Sequence, residues 1–169
     1  MKRSSPVKSL PNSAVLVTLL LLGAGLLHAE TVGKGATIKD FTLKSLKGVS
    51  TNTANLRKDK VMVLKFGATW CGWCNKEIPE LKKVVDEYKG KNVIVVDVDI
   101  SEPAEIVRKH ATEKGQNYLT LLDEDGAIAR QYGIEGIPLV LVVDKQGKIV
   151  YAGAYTPFEE LKKAIDAAL

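Results

Sequence analysis

The chain has 169 residues, 46% of them hydrophobic and 26% charged, with no internal repeat or low-complexity tract; this composition fits one globular core and excludes disordered and repeat architectures. Three of its 24 lysines and arginines are Lys2, Arg3 and Lys8, so the formal net charge of +4 falls close to balance beyond them and leaves no clustered basic footprint for nucleic acid. Two cysteines and two histidines provide neither the several cysteine pairs of a stapled secreted fold nor the four ligands of a closed zinc site.

The N-terminal stretch opens on those three cations, runs through apolar residues from Ala14 to Leu27 and reaches the small residue Ala29, the layout of a secretory signal over residues 1–29. Its apolar run is short for a membrane span. Leu27 stands where a small residue is customary before a cut, and this keeps an uncleaved membrane anchor as the alternative. Residues 30–169 are then the folded domain, expected outside the cytoplasm, soluble after signal cleavage and monomeric.

Phe41 to Leu43 and Val49 to Ser50 flank Lys47 and Gly48 and predict a small hairpin. Asn52 to Lys60 reads as a polar connection. Val61 to Phe66 is a nearly continuous apolar run, as in a strand buried on both faces, and Lys65 interrupts it. Two cysteines three apart follow, and then a helix whose apolar stripe is Cys74, Ile78, Leu81, Val85 and Tyr88, with Pro79 inside it and Gly90 at its end. Asn92 to Ile100 predicts a second buried strand, Ser101 a cap for a helix from Glu102 to Lys114 with Pro103 in its first turn, and Tyr118 to Leu122 a short strand. A short helix over Ala127 to Tyr132 ends at Gly133. Leu139 to Val143 and Lys148 to Ala152 form a hairpin across Asp144 to Gly147, and Thr156 with Pro157 opens the last helix. The alternation implies an α/β sheet with helices on both faces, closed by an antiparallel hairpin.

Cys71 falls where its helix begins, so unpaired N–H groups and the helix dipole favour a thiolate there. A disulfide from Cys71 to Cys74 closes too small a ring to add much loop-closure stability, so the value of the pair is chemical. A thiolate at Cys71 attacks a substrate disulfide, and Cys74 resolves the mixed disulfide. Cys74 must lose its proton to do so, and Glu77, one turn onward, is the candidate base. The plainer alternative for Glu77 is a solvated first-turn carboxylate. His110 reads as a surface helix residue. A cysteine hydrolase would need that histidine beside Cys71 and would leave Cys74 without a role.

The strand followed by WCGWC, the Gly136-Ile137-Pro138 step before the final hairpin and the terminal helix resemble the thioredoxin fold. The leader FTLKSLKG, the stretch WCNKEIPEL, the extra helix after VDVDI and IPLVLVVDKQGKIV narrow the resemblance to TlpA/ResA-type thiol-disulfide oxidoreductases, over about Thr37 to Leu169. It implies a thioredoxin-like α/β fold with a central mixed sheet flanked by helices, an N-terminal β-hairpin and an extra helix after the second central strand. It implies an exported enzyme that reduces protein disulfides, with no cofactor or metal beyond the Cys71–Cys74 disulfide, in cytochrome c or copper-site maturation, and that is re-reduced by a membrane thiol donor. In relatives of this kind the acid at Glu77 serves the cysteines, Pro138 is a cis-proline and Ile137 pairs with an extended substrate segment. Trp70 and Trp73 then flank the disulfide on its substrate side. Trp73 stands where relatives often carry proline or histidine, and the missing histidine favours a reductant over an oxidant.

Two departures accompany the resemblance. Gly67 replaces the tryptophan usual there. Lys65 occupies the position of a buried aspartate that thioredoxins pair with a lysine on the next strand, and laying out that strand puts Asp97 opposite it. The charges of the pair are exchanged, so Lys65 and Asp97 are expected to form a partly buried ion pair that tunes Cys74. The alternative is a snorkelling Lys65. An oxidant or isomerase, or a dithiol that carries copper or zinc without catalysis, is the competing function.

Overall fold

The structure is a computed structural model that describes residues 32–169. The leader expected over residues 1–29 lies outside the described residues. Among those described, no helix is long and apolar enough to cross a membrane.

Strand β3 (Val61–Gly67) is buried along its whole length at the centre of a seven-stranded mixed sheet. It pairs in parallel with β4 (Val93–Ile100), which pairs in parallel with β5 (Leu119–Asp123). On its other side β3 meets β6 (Leu139–Val143) and then β7 (Ile149–Gly153), both antiparallel. The N-terminal hairpin of β1 (Thr42–Ser45) and β2 (Ser50–Asn52) adds antiparallel to the free edge of β5. The order is therefore β2-β1-β5-β4-β3-β6-β7.

Because successive side chains of a strand point to opposite faces, β3 divides its residues between two cores. Met62, Leu64 and Phe66 join Phe41, Val98, Leu121 and Tyr132 on one face, where Leu56 of α1 (Thr53–Arg57) and Ile128 of α4 (Ala127–Gln131) also pack. Val61 and Val63 face the other way. There they pack beneath Leu81 and Val84 of α2 (Gly72–Glu87) and Leu161 and Ile165 of α5 (Phe158–Asp166). The extra helix after β4, α3 (Ala104–Glu113), lies beside the start of α2, with Val107 and His110 meeting Cys74 and Ile78 around a small cavity.

Local details depart from the sequence expectations. The polar connection after β2 contains the one-turn helix α1, capped by Asn52 Oδ1 accepting the Ala54 N–H at 3.0 Å. In α2 the fully buried position is Val84, with Val85 only half-buried, because the stripe bends toward Glu77 and Leu81. Ser101 is not a helix cap: it takes a left-handed φ of 59° and donates its N–H to Asp123 O, so α3 starts later, behind Pro103. Thr156 gives α5 no side-chain cap either. Glu80 of α2 supplies one instead, its Oε2 accepting the Phe158 N–H at 2.9 Å.

Candidate active site

Cys71 is the N-cap residue of α2, and its Sγ accepts the Cys74 N–H at 3.1 Å. That contact and the helix dipole stabilise negative charge on this sulfur. The two cysteines are joined as a disulfide. Cys71 keeps 7% of its surface against 1% for Cys74, so an incoming group reaches Cys71 first. Around it Trp70 and Trp73 are 72% and 56% exposed, unusual for such large apolar side chains. Trp73 packs against Tyr155 at 5.6 Å between centroids, with Lys76 Nζ 4.0 Å above its ring. The Ile137–Pro138 bond is cis, and Ile137 O lies 3.7 Å from Cys71 Sγ.

The loop that carries the cysteines is held from behind. Glu102 accepts both the N–H and the hydroxyl of Thr69, each at 2.6 Å, because the late start of α3 leaves this carboxylate outside the helix and free to turn back. Asn75 Nδ2 donates to Thr69 O at 2.8 Å and to Cys71 O at 2.9 Å. Its Oδ1 is thus the acceptor for His110 at 2.7 Å, and the proton of the neutral imidazole sits on Nε2. His110 is therefore not the surface residue expected. It is half-buried, and burial, with Lys114 and Lys65 adding to it, holds its pKa below the usual histidine value.

Beneath Cys74 the register of β3 and β4 sets Lys65 directly beside Asp97. Nζ lies 2.8 Å from Asp97 Oδ1, off the line of a well-directed hydrogen bond, and both side chains are 4% exposed. The ammonium does not snorkel. It curls over the bare Cα of Gly67: a Cβ there would stand 2.5 Å from Lys65 Nζ and 3.1 Å from Cys74 Sγ. A tryptophan cannot occupy this position while the lysine does.

Glu77 is wholly buried, not a solvated first-turn carboxylate. Its Oε2 accepts the Thr156 N–H at 2.8 Å while Oε1 has no partner. Burial pushes its pKa up to about 7 against the pull of the Thr156 N–H and the Lys65 charge. Asp99, two residues along β4 from Asp97, is likewise buried. Desolvation, and then the neighbouring Glu102 and Asp97 carboxylates, push it up to about 8. Sequence reasoning missed Asp99, Glu102, Asn75 and Tyr155. Only Asp99 carried a signal, since carboxylates two apart in an otherwise apolar strand share a face. Among the described residues no cluster of three or more His, Cys, Asp or Glu is placed to hold a metal ion.

The profile of the AhpC/TSA family matches residues 34–152. The thiol-disulfide oxidoreductase ResA of Geobacillus thermodenitrificans is 27% identical over 162 residues, covering 90% of this chain and 92% of its own. Among solved structures, a candidate thiol:disulfide interchange protein DsbE from Chlorobium tepidum superposes with a TM-score of 0.74 at 26% identity, covering 81% of this chain and 98% of its own. A secreted Mycobacterium tuberculosis disulfide oxidoreductase homologous to E. coli DsbE gives 0.65 at 25% identity, covering 75% and 95%. A helix-capping cysteine pair on this fold, together with these likenesses, means that the chain belongs to the AhpC/TSA family as a ResA/TlpA-like thiol-disulfide oxidoreductase of the thioredoxin superfamily.

Proposed function

We propose that residues 30–169 are an exported, monomeric protein-disulfide reductase, freed by removal of residues 1–29 as a secretory signal. The observation that carries the division of labour is the unequal setting of the two sulfurs: Cys71 at the surface on a helix N-terminus, Cys74 buried in the wall of a cavity shared with Asp97, Asp99 and His110. The reducing direction rests on the absence of a histidine between the cysteines. The Cys71 thiolate attacks one sulfur of a substrate disulfide and expels the other as thiolate. Cys74 then gives up its proton, with Glu77 as an acceptor, attacks Cys71 Sγ and releases the substrate as a second thiolate. Two electrons pass to the substrate. The dithiol becomes the Cys71–Cys74 disulfide, which a membrane thiol donor reduces again. Ile137 offers a backbone edge to an extended substrate segment, and Trp70 and Trp73 supply apolar contact beside it. Cytochrome c or copper-site maturation is the substrate setting that accords with this family. The secreted relative and the layout of residues 1–29 support export.

Three measurements test the reading. With Cys74→Ala, mixed disulfides with natural substrates should accumulate on Cys71 and be released by reductant, whereas trapping through Cys74 in a Cys71→Ser variant would reverse the assignment. In a glutathione redox titration a potential near that of thioredoxin, about −270 mV, fits a reductant, and one near about −120 mV would make the protein an oxidant. Material recovered from the export compartment should begin at Glu30.

A further inference from the structure

Behind the disulfide, between α2, α3 and the ends of β3 and β4, lies a cavity of about 10 Å³, the size that holds one water molecule. Cys74 lines it, with Lys65, Asp97, Asp99, His110 and Gln116. A water there needs two to four polar partners, and the walls offer them. Lys65 supplies an ammonium. Gln116 has its Oε1 committed to the Thr120 hydroxyl at 3.3 Å and keeps its amide N–H groups. Asp99, 4% exposed, has an Oδ1 with no hydrogen-bond partner. Glu77 does not line the cavity, and its bonded oxygen is turned toward Thr156 at the start of α5.

We propose that a single water in this cavity carries the proton of Cys74 to Asp99, making Asp99 a relay residue that acts on the sulfur through the water. The inference rests on the reductase reading above and adds a second proton route to it. As Cys74 attacks the mixed disulfide, its S–H proton passes to the water and a water proton passes to the Asp99 carboxylate. The sulfur's electron pair forms the S–S bond to Cys71, and the substrate leaves as thiolate. When the disulfide is reduced again, Asp99 returns the proton by the same path to the Cys74 thiolate. Chemistry suits the exchange. An ordinary thiol has a pKa of about 8.5, so a carboxyl raised to about 8 takes its proton almost without a free-energy step. Burial sets that balance first; Glu102, by its charge and a side-chain hydrogen bond, and Asp97 also oppose ionisation of Asp99, and Lys65 favours it. His110, from α3, keeps Nε2 bonded to Asn75 and so adds no donor from that nitrogen.

The test is a stopped-flow reaction of the reduced protein with an aromatic chromogenic disulfide. A first absorbance step reports formation of the mixed disulfide on Cys71 and a second its resolution by Cys74. In the wild type the resolution rate should rise with pH through a midpoint near 8. Asp99→Asn should leave the first step in place, slow the second at least tenfold at pH 7 and move its midpoint well above the value of about 8.5 of an ordinary thiol, because the buried Cys74 must then ionise unaided. Glu77→Gln should keep the limb near pH 8. An Asp99→Asn protein that folds, forms the mixed disulfide and resolves with the wild-type profile overturns the relay. Absence of the first step in the wild type overturns the reductase reading instead. Should Asp99→Asn not fold, carboxyl carbon NMR of the wild type decides: the Asp99 resonance should titrate near neutral pH with a midpoint that changes between the oxidised and reduced forms. Titration in the ordinary carboxyl range without a redox response overturns the proposal.

Discussion

The two faces of β3 are built to different rules. Toward α1 and α4 the strand offers Met62, Leu64 and Phe66 to an apolar cluster, in which the Phe66 ring lies 5.3 Å from that of Tyr132 and 6.3 Å from that of Phe41. Toward α2 it begins the same way, with Val61 and Val63, and then changes to Lys65 and Gly67 under the cysteines. The pleat keeps the two apart. Neighbouring residues serve stability and chemistry without sharing contacts, so each face should fail separately.

The largest effect should come from the apolar face. Phe66→Ala removes a buried ring from a close-packed cluster and should cost about 3–5 kcal/mol in denaturant unfolding, with the reduction potential unchanged. A moved potential would show that the faces communicate. Lys65→Met on the other face leaves Asp97 buried without its cation and should cost about 3 kcal/mol, while also raising the pKa of Cys74 and making the disulfide less oxidising. Adding Asp97→Asn should recover part of that loss, with a coupling of at least about 0.5 kcal/mol in the double-mutant cycle. Additive effects would mean that the pair is not a unit.

A pH series separates the faces next. Glu77 at about 7 and Asp99 at about 8 both lie above the unfolded carboxyl range, so the native state holds protons that the unfolded chain has already released. Their stabilising contribution is complete below about pH 4 and is lost as pH rises through 7 and 8, by roughly 3 kcal/mol for Glu77 and by more for Asp99, whose shift is the larger. Glu77→Gln and Asp99→Asn should each flatten the fall in stability between about pH 5 and 8, and Phe66→Ala should leave the slope as it is. The smallest effect should be that of Gly67→Ala. The new methyl must displace the end of the Lys65 side chain, which can move, so the expected loss is roughly 1–2 kcal/mol together with a weaker Lys65–Asp97 contact. A fully wild-type potential in this variant would show that the ammonium does not reach Cys74.

How much of this was legible in the sequence depended on distance along the chain. The cysteines at a helix start, Glu77 one turn on, and Lys65 as a charge inside an apolar run are local patterns, and a residue-by-residue reading finds them. Asp97 came from the family resemblance, by laying its strand along the one that carries the paired lysine in thioredoxins, and the observed register sets it beside Lys65. His110, Asn75 and Glu102 were out of reach. Their roles depend on α3 lying against the start of α2 and on the left-handed turn at Ser101, which frees Glu102 to hold Thr69. Pattern reasoning put Glu102 in the first turn of a helix, because Ser followed by Glu and Pro is a common opening and nothing local signals the positive φ.

Gly67 has a consequence for the history of the chain. The lysine two residues earlier occupies the space that a large side chain at position 67 would need, so a bulky residue there and the buried lysine exclude each other. A lineage that carries a bulky residue at this site cannot acquire the inverted ion pair stepwise without passing through a crowded or an unpaired intermediate. In evolutionary terms positions 65, 67 and 97 are a single character. Across relatives they should change together, with glycine accompanying lysine and aspartate at these sites.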